Sequence, residues 1–204
     1  MNEKVFADDF TKNFYSQSEF LDFLTEREKN SYWSRMRAKD LKFYAMEKGD
    51  EVTQRLKNEY ALQGKEGVFS DTMENTRLIL QADDRLIPVR SCAIKTILER
   101  ARISGNALNK VGKSVLSEIL NYCMAVTSGE ALLRVCEDEI TAVHGGDESD
   151  YSVLEMPELF KRTVDYLESN FSGYTFAGAS YDHLIVTSLW ELSKDDALVS
   201  TYRE

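Results

Sequence analysis

The sequence predicts an α/β protein of the α+β type: an antiparallel sheet of hairpins covered by helices, with an N-terminal helical unit appended. Three observations predict it. Three stretches, 76–89, 131–144 and 174–192, read as β-branched and aromatic strand material, each broken once by a short polar turn. Two others, 91–126 and 157–170, repeat their apolar residues three and four apart, the period of an amphipathic helix. The 204 residues are 43% hydrophobic and include 10 Phe, 10 Tyr and 2 Trp, enough apolar material for one substantial core.

Residues 8–30 read as an amphipathic helix. Phe10, Phe14, Phe20, Leu21, Phe23 and Leu24 give it an apolar side, and Ser18 caps its second part ahead of Phe20. A second helix is expected from about 30 to 48, rich in Arg35, Arg37, Lys39 and Lys42 and stopped at Gly49-Asp50. A third covers 52–62 and closes at Gly64. Residues 1–66 are therefore expected as the helical unit, and 67–204 as the α/β domain.

From Gly67 the character changes. Val68, Leu78, Ile79, Leu80, Leu86, Ile87 and Val89 read as strands that turn at Ala82-Asp83-Asp84. Two helices follow, split near Ile103-Ser104-Gly105. Ala131–Glu137 and Ile140–His144 then form a hairpin through Cys136-Glu137-Asp138-Glu139. After the polar loop HGGDESDY, Pro157 suits the first turn of a helix over 157–170, which Gly173 ends. The last hairpin pairs 174–180 with 183–192 and turns at Tyr181-Asp182; a polar tail follows.

Charge is uneven. Residues 130–204 hold 16 Asp and Glu against 5 Lys and Arg, so the net charge of −10 lies in that half. An acidic half disfavours a broad grip on DNA, which needs clustered cations. It favours competition with nucleic acid for a basic partner surface, with solubility as the plainer use of the same charge. The acidic turns Glu137, Asp138, Glu139, Asp147, Glu148 and Asp150 are the candidate partner contacts. Cys92, Cys123 and Cys136 stand far apart in apolar surroundings without a CxxC pair, and read as buried reduced thiols. No apolar run reaches the ~20 residues that span a bilayer. The first residues lack a signal-peptide layout, so no membrane role and a cytoplasmic location are expected.

The best nucleic-acid candidate is 85–113, where Arg90, Lys95, Arg100, Arg102, Lys110 and Lys113 flank a helix pair resembling a helix-turn-helix in outline. A second mixture, basic residues with Tyr32, Trp33, Phe43 and Tyr44, suits charge plus stacking, or a solvated helix face over core aromatics. His144, Asp147, Glu148, Asp150, Asp182 and His183 would hold magnesium or manganese only if the two C-terminal hairpins converged. No spacing matches HExxH or an EF-hand. Neither histidine flanks a nucleophile elbow. The glycines of GNALNKVGKS stand seven apart, where a Walker loop needs five. No catalytic residue, cofactor or metal is expected, and enzyme is the less favoured class.

Four stretches carry a family resemblance: IPVRSCAIKTILERARISGNAL, LSEILNYCMAV, LLRVCEDEITAVHGGDESDYSVLEMPELF and YTFAGASYDHLIVTSLWEL. In this order they resemble the phage and plasmid proteins grouped as domain-of-unknown-function family 932, over about 87–192. The resemblance implies a mobile-element origin and an α/β fold, and brings no catalytic residues. The expected function is a non-catalytic mobile-element binding protein, most specifically an anti-CRISPR-like inhibitor of a host-defence nucleoprotein. Its partner would be a protein with a basic nucleic-acid-binding surface. The alternatives are a DNA-binding accessory protein using the basic residues of 90–113, and a metal-dependent enzyme built on His144 and His183.

Overall fold

A computed structural model describes residues 10–104, 107–145 and 153–193. Among these residues are nine strands, six α-helices and two 3₁₀ turns, which bears out the α+β class. In chain order they are β1 (Lys12–Phe14), α1 (Gln17–Lys29), β2 (Ser31–Arg37), β3 (Lys42–Ala45), α2 (Glu51–Leu62), α3 (Glu66–Glu74), β4 (Leu78–Ala82) and β5 (Arg85–Pro88). Then come α4 (Ala93–Arg100), α5 (Lys113–Val126), β6 (Glu130–Cys136), β7 (Glu139–Gly145), α6 (Met156–Asn170), β8 (Tyr174–Tyr181) and β9 (Val186–Leu192). The strands form three separate three-stranded antiparallel sheets rather than the expected single one: β1-β8-β9, β2-β6-β7 and β3-β4-β5.

The three predicted hairpins are all present, and each takes its third strand from residues 12–45. This corrects the helix expected over 30–48, which is β2, a 3₁₀ turn at Ala38–Asp40, and β3. Its Lys, Arg, Ala and Met favour a helix locally. Pairing decides otherwise: Ser31 to Arg37 lie in unbroken register against Cys136 to Glu130. Val68, expected as strand material, lies in α3. Residues 52–62 are helical as expected, capped by Asp50, whose carboxylate accepts the Thr53 N–H at 3.0 Å.

The chain divides into two compact units, one from 31–152 and one from 9–30 with 153–204. In the first, β4, β5, β6 and β7 meet α4 and α5 around Leu78, Leu80, Ile97, Leu120, Leu133 and Val143. The sheets β3-β4-β5 and β2-β6-β7 meet at a single parallel bridge, Val89 to Ile140, with the Arg90 N–H donating to the Ile140 carbonyl at 3.0 Å. Helix side chains close sheet edges that would otherwise stay open. The Asn121 amide of α5 satisfies both backbone groups of Phe43 (2.7 and 2.9 Å), and the Thr96 hydroxyl of α4 accepts the Val143 N–H at 2.9 Å. In the second unit, Phe14, Phe20, Leu24 and Phe160 form the core, joined by Phe176 and Trp190 from β8 and β9.

Candidate functional site

The acidic turn at 137–139 is consumed inside the first unit. Glu137 and Asp138 make the two-residue link from β6 to β7, both with positive φ (54° and 67°), the pattern of a tight hairpin turn. Asp138 is ion-paired with Lys65, and its carbonyl accepts the Tyr60 hydroxyl at 2.9 Å. Burial, then the nearby Asp138 and Glu139 carboxylates, push the Tyr60 phenol well above its usual range, so it remains a donor. Glu139 opens β7 pointing inward, 0% exposed, 3.4 Å from the Arg90 guanidinium and 3.4 Å from the Thr72 hydroxyl. Glu139 is therefore not a surface contact. Asp147, Glu148 and Asp150 lie outside the described residues.

The basic set separates in the same way. Arg90 is 1% exposed and belongs to the core pair with Glu139, which removes it from the expected nucleic-acid set. Arg100 donates to the carbonyls of Ser128 (2.8 Å) and Glu130 (2.7 Å), holding the backbone that leads into β6. Only Lys95, Arg102 and Lys110 are exposed, and Lys95 stands 3.9 Å from Glu99 one helical turn on. Lys113 is half-buried at the start of α5. Helix periodicity shows which residues share a face, but not which face a neighbouring strand covers.

The histidines are packing residues in their own units. His144 stacks near Trp33 (6.3 Å between rings), over which the Arg134 guanidinium also lies at 5.4 Å. Burial pushes the His144 pKa below its usual value; Glu99 opposes the shift and Arg134 adds to it. His183 stacks on Phe10 at 5.6 Å and meets the edge of Tyr181. Asp182 is occupied as well: its Oδ1 accepts the N–H groups of Leu184 (2.7 Å) and Ile185 (2.6 Å). Among the described residues, no group of three or more His, Cys, Asp or Glu side chains could hold a metal ion. None of the described helices is long and apolar enough to cross a membrane.

That Asp182 clamp builds the feature the sequence reading passed over. The β8–β9 hairpin ends in Leu184 and Ile185, 70% and 61% exposed, and continues along the outer face of β9 to Leu189, 62% exposed. The Asp182 N–H donates to the Ile185 carbonyl at 3.0 Å, so the tip is fixed from both sides. The Ser180 and Thr187 hydroxyls bond across the strands at 2.7 Å just behind it. Residues 163–193 contain no Lys or Arg and four carboxylates: Asp165, Glu168, Asp182 and Glu191. Leu184, Ile185 and Leu189 thus leave an exposed apolar point on this hydrogen-bonded hairpin. No family model, curated protein or solved structure matches this chain.

Proposed function

We propose that this chain is a non-catalytic binding protein that docks on a protein partner through the apolar end of the β8–β9 hairpin. The observation that carries the reading is the exposed Leu184, Ile185 and Leu189 on a turn held rigid by Asp182. Rigid apolar points bind at low entropic cost and act as anchors when a pocket desolvates them. Lys12 pairs beside Tyr181, and Arg27 lies over its ring at 5.0 Å near the tip. Yet the second unit as a whole is acidic, and 163–193 holds four carboxylates and no Lys or Arg, which favours a partner socket that carries basic side chains. The same charge disfavours phosphate backbones and anionic lipid surfaces.

A basic-rimmed socket is the chemistry of a nucleic-acid-handling complex. The most specific form of the proposal is therefore an inhibitor of a host-defence nucleoprotein, occupying part of its nucleic-acid groove. The contact surface is then the hairpin of the second unit rather than the turn at 137–139. The test is capture of partners from a host lysate, with and without nuclease, by the wild-type chain and by Leu184→Asp/Ile185→Asp. Each apolar anchor is worth about 1.5–3 kcal/mol when buried, so the double variant should lose a nuclease-resistant partner outright. Capture that survives in the variant, or that vanishes with nuclease, would overturn the proposal.

A further inference from the structure

A cleft of about 110 Å³ opens between α4 and α5 in the first unit. Ile97, Leu116 and Leu120, all nearly fully buried, form its deep wall, and the partly exposed Ile94 and Leu98 of α4 line its side. Leu108 and four polar side chains, Asn75, Thr76, Ser91 and Lys113, complete the lining. Two of these are already committed. The Asn75 amide donates to the Asp71 carbonyl and carboxylate, both at 3.0 Å, and the Thr76 hydroxyl donates to the Val89 carbonyl. The Ser91 hydroxyl and the Lys113 ammonium have no bonding partner among the described residues. The cleft thus joins an aliphatic slot to one cation and one hydroxyl that have no bonding partner among the described residues.

From this juxtaposition we propose that the α4–α5 cleft binds a short aliphatic monocarboxylate, its chain in the slot and its carboxylate on Lys113 and Ser91. A single cation matches a single negative charge, so a phosphate dianion would be left half-neutralised. The volume sets the chain length. At the ~30 Å³ that a water-sized group occupies, the slot takes roughly four carbons, well short of a long-chain fatty acid. An alcohol or amide of the same length would fill the slot but leave the ammonium unmatched.

The test is a titration of the full ¹⁵N-labelled chain with propanoate, butanoate, pentanoate and octanoate at constant ionic strength, with pentanamide as the neutral control. Saturable shift changes should be confined to the residues that line the cleft and their neighbours, 75–76, 91–98, 108 and 113–120. Affinity should rise about fourfold per methylene up to pentanoate, the fold-change equivalent to ~0.8 kcal/mol per buried CH₂, and stop rising by octanoate. Pentanoate should bind about tenfold tighter than pentanamide, as a charge-assisted hydrogen bond requires. Lys113→Met lies on a partly exposed helix start and should keep the spectrum while removing the preference for acid over amide. Leu98→Phe should fill the slot and abolish binding of both. The proposal is overturned by shifts scattered over the surface, by equal binding of acid and amide to the wild type, or by a preference that survives Lys113→Met. Failure here would leave the hairpin reading untouched, since the two sit on different units.

Discussion

The pair Arg90–Glu139 offers the sharpest check on the first unit, because one charge of each sign sits where neither meets water. Both side chains are 0% exposed, 3.4 Å apart, at the bridge that joins the two sheets. Glu139→Gln keeps the shape and removes the charge, leaving a buried guanidinium without that carboxylate. Breaking a buried pair from one side costs about 3–5 kcal/mol, a large share of the ~5–15 kcal/mol that holds a typical domain. With a urea dependence of about 2 kcal/mol per molar, the unfolding midpoint should fall by roughly 2 M. Arg90→Met should cost a similar amount. The double variant Arg90→Met/Glu139→Leu should recover most of the loss, because two apolar side chains leave no charge behind. The assay is urea unfolding followed by circular dichroism, arranged as a double-mutant cycle. A Glu139→Gln cost under about 1 kcal/mol, or a coupling energy below about 0.5 kcal/mol, would refute the argument. So would an Arg90→Met chain that unfolds like wild type.

Three further outcomes follow from the same geometry. Arg100→Met should lower the unfolding free energy by the worth of a charge-assisted bond, about 1.5–3 kcal/mol, while Lys95→Ala and Lys110→Ala stay within about 0.5 kcal/mol of wild type; calorimetry separates them. His144 is held neutral by burial, so its folded pKa lies below its unfolded one, and its contribution to stability is fully present above pH ~6.5 and lost progressively as pH falls from there through the lower folded value. Proton NMR should find its titration below the usual imidazole midpoint, displaced further down by Glu99→Gln and back up by Arg134→Gln. Asp83 holds a left-handed φ of 52° in the β4–β5 turn, a region glycine enters freely, so Asp83→Gly should raise the unfolding free energy by up to about 1 kcal/mol, measured in urea.

What the sequence revealed and what it hid divide along the distance between interacting residues. The three hairpins were legible because each turn lies within a few residues of both its strands: Asp83-Asp84, Glu137-Asp138 and Asp182 onward. The third strand of each sheet was not. Ser31–Arg37 becomes a strand because a partner about a hundred residues away supplies its hydrogen bonds, and local preference for helix yields to that pairing. The site residues divide on burial. Glu139 and Arg90 read as surface charge in isolation, and only the bridge between sheets turns them inward to face each other. Leu184 and Ile185 fall within the strand expected over 183–192. The Asp182 turn runs two residues longer than expected and leaves both outside the sheet.

Under the proposed docking, charge and apolar surface at that exposed tip have separate jobs. With Glu139 buried and Asp138 tied to Lys65, neither is available to steer a partner. The second unit keeps its own excess: residues 9–30 and 153–204 hold 14 Asp and Glu against 7 Lys and Arg. Carboxylates around an apolar anchor speed encounter with a basic surface, and the anchor itself slows departure. Glu191 is exposed on the same strand face as Leu189 and has no ion-pair partner among the described residues. Glu191→Lys should therefore slow association several-fold and flatten its salt dependence while leaving dissociation nearly unchanged. Leu184→Asp should do the reverse, raising the dissociation rate tenfold or more for a lost anchor of about 1.5–3 kcal/mol. Surface plasmon resonance on the captured partner, at low and physiological salt, resolves the two rates. If both substitutions acted on the same rate constant, the hairpin would be a single electrostatic patch and the anchor argument would fail.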